Sequence, residues 1–280
     1  MRDQVLVGVD GSEASLAAVD VAAREARLRG TGLRIVHAFI WPLMNVPLGP
    51  AKDGPPQGGL RHQAEDVLRD ARARAEALDP RLEIETELVT GEPLTVLARH
   101  SGQASLVVVG SRGLGRFGAL LIGSVAVHLA AHAACPVLIV RGRPDPEGPV
   151  LVAVDGGGVG AEALGFAFAE ASARRAPLTA LHIAHPSTSW PDQEERVLAE
   201  ALAGWREKYP DVELRSEIVE AHTRPALLEA SREAQLLVVG ARGRGGFAGM
   251  LLGSTSQAMI QHAHCPVVVV RHAEEPADEA

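Results

Sequence analysis

Lysine is nearly missing from this chain. Of its 27 basic residues only Lys52 and Lys208 are lysines. A Walker-type nucleotide hydrolase needs a lysine in a G-x4-G-K-[ST] loop, and no such loop occurs. Cysteine is equally scarce. Cys135 and Cys265 are too few for a disulfide framework or a four-cysteine zinc site. Aromatic residues make up 3% of the chain, which leaves few platforms on which single-stranded bases could stack. Positive charge is not in excess: the net charge is −8, and an acidic surface repels nucleic-acid phosphates. Nucleic acid is therefore not expected as a partner. No apolar run reaches the ~18 residues that a spanning helix needs. Met1-Arg2-Asp3-Gln4 leads straight into an apolar strand rather than a signal peptide. A cytoplasmic chain with no membrane partner is the expectation.

What the chain does have is repetition. Its 280 residues are about twice a common domain length, and 46% hydrophobic against 22% charged is enough to build a core in each half. Residues 106–141, LVVVGSRGLGRFGALLIGSVAVHLAAHAACPVLIVR, return at 236–271 as LLVVGARGRGGFAGMLLGSTSQAMIQHAHCPVVVVR, at an offset of 130. The starts of the halves also match: the Val5-to-Gly11 stretch returns as Val150-to-Gly156, and His37 as His182, at an offset of 145. The difference places an insertion in residues 41–60, a Pro/Gly-rich loop. These boundaries predict one domain over 1–143, a linker at 144–147, a second domain over 148–272 and an acidic tail at 273–280.

Within the first half, short apolar runs at Val5–Val9, Leu33–Ala38, Leu106–Val109 and Val137–Val140 read as buried strands, and the alternating Leu82–Val89 as a half-buried one. Between them, Ser12–Arg29, Leu60–Leu78, Pro93–Ser101 and Ser124–Ala133 have helical spacing, with Ser12 placed as an N-cap. The second half repeats the order. Strands alternating with helices predict an α/β fold: two tandem, doubly wound, Rossmann-like domains, each with a five-stranded parallel sheet.

Such sheets bind ligands beyond the carboxyl ends of their strands, where the strand order reverses. Two segments in each half fall there. One is Asp10-Gly11-Ser12 after the first strand. The other is a glycine loop after the fourth, Gly110-x2-Gly113-x9-Gly123-Ser124, repeated as Gly240-x2-Gly243-x9-Gly253-Ser254. Glycines let backbone N–H groups approach phosphate oxygens, and a helix N-terminus favours an anion. The pattern describes a phosphate cradle. Each residue also has a simpler reading: Ser124 and Ser254 as helix caps, Asp10 and Asp155 as turn residues, Arg112 and Arg242 as solvated loop charges.

Three motifs taken together carry a family resemblance: the V-x-V-D-G-S start, the G-x2-G-x9-G-S loop and the H-x-x-C-P-V-x-V-V-R end, with Ile139 in place of its middle Val in the first half. Over almost its whole length the chain resembles a tandem universal stress protein of the ATP-binding type. The resemblance implies that Asp10 and the backbone near Ala38 meet the adenosine. It implies that Val109, Gly110, Arg112 and Gly113 line the ribose and phosphates, and that Gly123, Ser124 and Val125 hold the phosphates. The second-half equivalents are Asp155, Ile183, Val239, Gly240, Arg242, Gly243, Gly253, Ser254 and Thr255. It further implies that two such domains pair through their last strands as a pseudo-twofold pair, and that homodimers and a regulatory protein partner are to be expected. The second half departs from the pattern twice. Its first helix lacks the Ser12-type cap, and Gly91-Glu92-Pro93 becomes Ala221-His222-Thr223.

No G-x-S-x-G elbow, catalytic base or metal pair stands out, so efficient hydrolysis is not expected, and a weak ATPase activity stays open. His128, His132 and Cys135 sit close enough in sequence to suggest a metal site, but position 258 is Ala in the repeat, and a histidine at a helix C-terminus is the simpler reading. The expectation is an ATP-binding sensor or regulator, with Mg2+ arriving on the nucleotide. A structural or interaction module without a ligand is the rival, and a cyclic nucleotide is open as the alternative ligand.

Overall fold

The computed structural model describes residues 4–39, 59–111, 124–143, 147–156, 160–184, 191–243 and 251–271. The inserted loop at 41–58, the linker at 144–146 and the tail from 272 lie outside them. Packing divides the chain into a first unit, Met1–Leu129, and a second, Ala130–Ala280.

The first unit runs β1 (Gln4–Gly8), α1 (Glu13–Arg29), β2 (Leu33–Phe39), α2 (Leu60–Leu78), β3 (Ile84–Thr90), α3 (Pro93–His100) and β4 (Ala104–Gly110). Helix α4 (Ser124–His132) begins in it. The strands pair in parallel in the order β3-β2-β1-β4, so the order reverses between β1 and β4. Leu6, Val7, Ile35, Leu106 and Val107 fill the sheet's buried centre. Helix α1 buries a stripe of small residues, Ala18, Ala22 and Ala26, spaced one turn apart, which lets it lie close to the strands. Ser12 caps it: its hydroxyl accepts from the Ser15 N–H at 3.2 Å. The helix stops at Gly30, whose φ of 64° suits glycine. Ser12→Ala is expected to cost about 1 kcal/mol of stability by chemical denaturation, with activity in binding unaffected by anything but the lost cap.

The second unit holds β5 (Val137–Val140), β6 (Val150–Val154), α5 (Ala161–Arg174), β7 (Leu178–Ala184), α6 (Pro191–Leu202), α7 (Trp205–Lys208), β8 (Leu214–Glu220), α8 (Thr223–Ala230), β9 (Leu236–Gly240), α9 (Ser254–His262) and β10 (Val267–Val270). Its strand order is β5-β10-β9-β6-β7-β8. Strands β9, β6, β7 and β8 repeat the parallel arrangement of β4, β1, β2 and β3. Strand β5 runs antiparallel to β10, with Leu138 opposite Val268, so the last strands of the two repeats do pair. Two equivalent arginines fasten this pair. Arg141 Nη1 donates to the Met259 carbonyl at 2.9 Å, and Arg271 Nη1 to the Ala133 carbonyl at 3.2 Å.

The halves differ in detail. The predicted counterpart of α2 is broken into α6 and α7 at Gly204, whose φ is 77°. Trp205 and Tyr209 then stack on the fully buried Phe168, at ring separations of 5.6 and 5.5 Å. Gly165 makes room for this, since a Cβ there would lie 2.8 Å from the Trp205 ring. Helix α5 has Gly160 before it and no side-chain cap, as the sequence departure implies. Likewise Glu92 caps α3 through the Thr95 N–H, while His222 makes no such bond to α8. Strand β3 starts two residues later than its alternation suggests, at Ile84.

Both cysteines are buried thiols. Burial pushes the Cys265 thiol up to about 12, against the opposing pull of Arg143 and Arg141. The reactive species is the thiolate. Iodoacetamide at mildly alkaline pH is therefore expected to leave Cys265 unmodified in the folded protein and to alkylate it once denaturant is added, read by peptide mass spectrometry.

Candidate functional site

The carboxyl ends of β6 and β9 bring the second-half residues together. Strand β6 ends at Val154, and Asp155 follows; strand β9 carries buried Val239 and ends at Gly240. Asp155 is followed by Gly156 at φ 68°, as Asp10 is followed by Gly11 at φ 83°. Only glycine turns the chain comfortably there, and that turn sets the carboxylate at the strand end.

The glycine loop is pinned at its root. The Ala241 N–H donates to the Val270 carbonyl at 2.7 Å, and the Gly253 N–H to the Ala241 carbonyl at 2.7 Å. Ser256 donates its hydroxyl to the Gly240 carbonyl at 2.6 Å. The loop therefore leaves β9 and returns to α9 with its two ends clamped side by side. Gly253 precedes the first turn of α9, and Ser254 and Thr255 open it; the N–H groups of that turn have no partner within the helix. Ser254 is exposed and Thr255 half-buried. Helix geometry thus leaves donors and the positive end of a dipole at one point.

Asp155 meets this loop. A Cβ placed on Gly243 would lie 3.2 Å from Asp155 Oδ2, and one on Gly160 3.2 Å from Oδ1. The space beside Gly240 is also tight, with the Arg242 carbonyl 3.0 Å from a Cβ there. Asp155, Gly240, Arg242, Gly243, Gly253, Ser254 and Thr255 are therefore gathered at the switch point. Ile183 lies on the neighbouring strand β7 and is half-buried.

In the first half the described part of the site is smaller. Arg112, Gly113 and Gly123 lie outside the described residues. Val109 is buried, Gly110 ends β4, Ala38 is in β2, and Ser124 and Val125 open α4. Gly110 cannot carry a side chain: its Cβ would lie 2.6 Å from the Ala14 carbonyl oxygen, because the start of α1 packs on it. Asp10 Oδ1 accepts from the Ser12 N–H at 3.0 Å, so one of its oxygens serves the turn.

Some participants carry weaker marks in the sequence. His37 and His182 each place Nδ1 2.7 Å from the carbonyl preceding the aspartate, Val9 or Val154. Their shared offset was the available signal. Ser256 has Ala126 as its counterpart, so repetition does not mark it. Among the described residues no group of His, Cys, Asp and Glu has the arrangement of a metal site, and no helix is long and apolar enough to cross a membrane. A separate surface notch of about 480 Å³ runs along β3, but its arginines are already paired, Arg34 with Glu85 and Arg72 with Glu76.

The sequence profile of the universal stress protein family matches residues 1–141 and 148–271. The chain belongs to the universal stress protein family. A universal stress protein of Mycobacterium tuberculosis is 40% identical over 285 residues, covering 95% of this chain and 96% of its own. One from Mycolicibacterium smegmatis is 40% identical over 287 residues, with the same coverage. Among solved structures, a universal stress protein from Archaeoglobus fulgidus superposes with a TM-score of 0.74 at 22% identity, covering 98% of each chain, which supports the fold. This chain thus holds two universal stress protein domains in tandem and matches these relatives over 95% of its length.

Proposed function

We propose that this universal stress protein binds an adenine nucleotide, ATP carried with Mg2+, and acts as a nucleotide-dependent regulator without efficient catalysis. One observation carries the proposal: Asp155 and the clamped glycine loop converge at the N-terminus of α9. A carboxylate only accepts hydrogen bonds, so Asp155 suits the hydroxyl and amino donors of an adenosine. The helix terminus and its exposed N–H groups suit the phosphates. The close quarters at Gly240 and Gly243 fit a backbone cradle with little room for side chains. The proposal assigns no catalytic residue. The nucleotide would set the surface offered to a regulatory protein partner in the cytoplasm, the chain itself forming homodimers.

Calorimetric titration of the nucleotide-stripped protein with Mg-ATP tests this. Two sites per chain are expected. One site would mean that a single cradle is functional. No heat, with no thermal-shift response to ATP, ADP, AMP or cyclic AMP, would overturn the nucleotide reading and leave an interaction module in its place.

A further inference from the structure

We propose that His182 and Glu194 are positioning residues for Asp155, holding α6 against the strand end that carries it through one shared proton. Only the consequence for ligand binding rests on the nucleotide reading; the latch itself rests on geometry.

His182 is 4% exposed on β7. Its Nδ1 lies 2.7 Å from the Val154 carbonyl oxygen. A carbonyl can only accept, so Nδ1 carries its hydrogen and donates. The other ring nitrogen, Nε2, lies 2.6 Å from Glu194 Oε2 in α6. One of these two atoms must then hold a proton. Either an imidazolium Nε2–H donates to the carboxylate, or a carboxylic acid donates to the neutral ring. With no proton between them a nitrogen lone pair would face a carboxylate at contact distance, and the pair would part.

Among the described residues the first half lacks this device. His37 makes the same Nδ1 contact to Val9, also at 2.7 Å. The offset of 130 that relates β3 to β8 puts Ala64 where the second half has Glu194. An alanine offers the ring nothing. The latch is therefore a property of the second unit.

Its position gives it leverage. Val154, whose carbonyl His182 holds, is bonded directly to Asp155. Other charged groups on the elements packed against β7 are Asp155 itself, Arg215, Glu217 and Glu220 on β8, Glu162 and the Glu170–Arg174 pair on α5, and Arg224 and Glu229 on α8. On α6 they include Asp192, Glu195 and Arg196. Among the described residues Glu194 alone is paired with His182. Removing the Glu194 carboxyl group takes away the hydrogen bond to His182, frees the start of α6 and loosens the support behind Asp155. The second cradle then weakens, while the first, which among the described residues has no such carboxylate on His37, does not respond through this route.

Hydrogen exchange of the full chain, read by mass spectrometry on the 191–202 peptide, tests the latch. After correction for intrinsic rates, Glu194→Ala is expected to lose about tenfold in α6 protection while α2 does not change. Glu194→Gln keeps the shape, and its amide can accept from Nε2–H or donate to bare Nε2, so α6 should stay protected. Unchanged α6 protection in Glu194→Ala, or a loss in Glu194→Gln as large as in Glu194→Ala, overturns the proposal. Mg-ATP titrations carry the consequence: second-site affinity falls in Glu194→Ala and stays level in Glu194→Gln. Absence of nucleotide binding in the wild type would refute the nucleotide reading, and the exchange result alone would then decide the latch.

Discussion

Gly243→Asp is expected to abolish nucleotide binding in the second half. The new Cβ would stand 3.2 Å from Asp155 Oδ2, so the added carboxylate would face an existing one at the mouth of the cradle. Two like charges ~4 Å apart cost about 4 kcal/mol at an effective dielectric constant of about 20. The incoming phosphates meet the same repulsion. A loss of at least about a hundredfold in affinity should follow, roughly 2.7 kcal/mol or more. Gly243 is not among the glycines with positive φ, so the backbone tolerates the change, and the thermal midpoint should fall only through the repulsion from Asp155. Gly243→Ala separates charge from bulk: a methyl group at 3.2 Å asks for a small shift and should cost about tenfold or less. Calorimetry on both variants, with Gly113→Asp as the first-half partner, resolves the two cradles. Unchanged stoichiometry and affinity in Gly243→Asp would show that the second cradle does not bind the nucleotide.

Phe168→Ala should produce the largest loss of stability. Phe168 is fully buried in α5 and is the inner member of the stack with Trp205 and Tyr209. Removing it deletes a ring's worth of buried apolar surface and leaves a cavity that two large, partly exposed aromatics cannot collapse into without losing their own packing. The cost for such a truncation is about 3–5 kcal/mol. In a unit of this size that lowers the melting temperature by about 10 °C. Phe168→Leu keeps most of the volume and should cost about 1.5 kcal/mol, so the pair of variants forms a graded series in calorimetric unfolding. The helix break at Gly204 gives the stack its purpose: it turns Trp205 and Tyr209 onto Phe168. A variant that melts like the wild type would mean that the cluster carries no share of the core's stability.

Repetition made most of the site readable in advance. Gly240, Gly243 and Gly253 stand out because their spacing is kept in both halves of the chain, and at Gly240 and Gly243 a Cβ would be crowded. The same holds for Asp155 with Gly156, where a positive φ ties the aspartate to its glycine. What repetition could not show lies where the halves diverge. Gly204 looks like an ordinary loop glycine, and nothing local says that it splits a helix. Glu194 shares the inward stripe of α6 with Val197, Leu198 and Ala201, but no spacing names its partner; the contact to His182 belongs to tertiary packing, not periodicity. Ser256 closes the loop in one half only. The element boundaries were shifted by one or two residues, as at Ile84, because exposed edge strands obey weaker side-chain rules than buried ones.

The pairing of β5 with β10 has a consequence for how this protein can be taken apart. The repeat ends at Arg141, but the residues that pack together divide at Leu129, so inheritance and architecture do not share a boundary. Cutting between the repeats, the obvious place on paper, would strip the second unit of a strand and of the Arg271–Ala133 contact. Four consecutive valines, Val267–Val270, would then form a bare sheet margin. Such a half-molecule is built to capture another chain, as a zipper seeks its missing row of teeth. Fusion of the two repeats keeps that margin occupied from the moment the chain is complete.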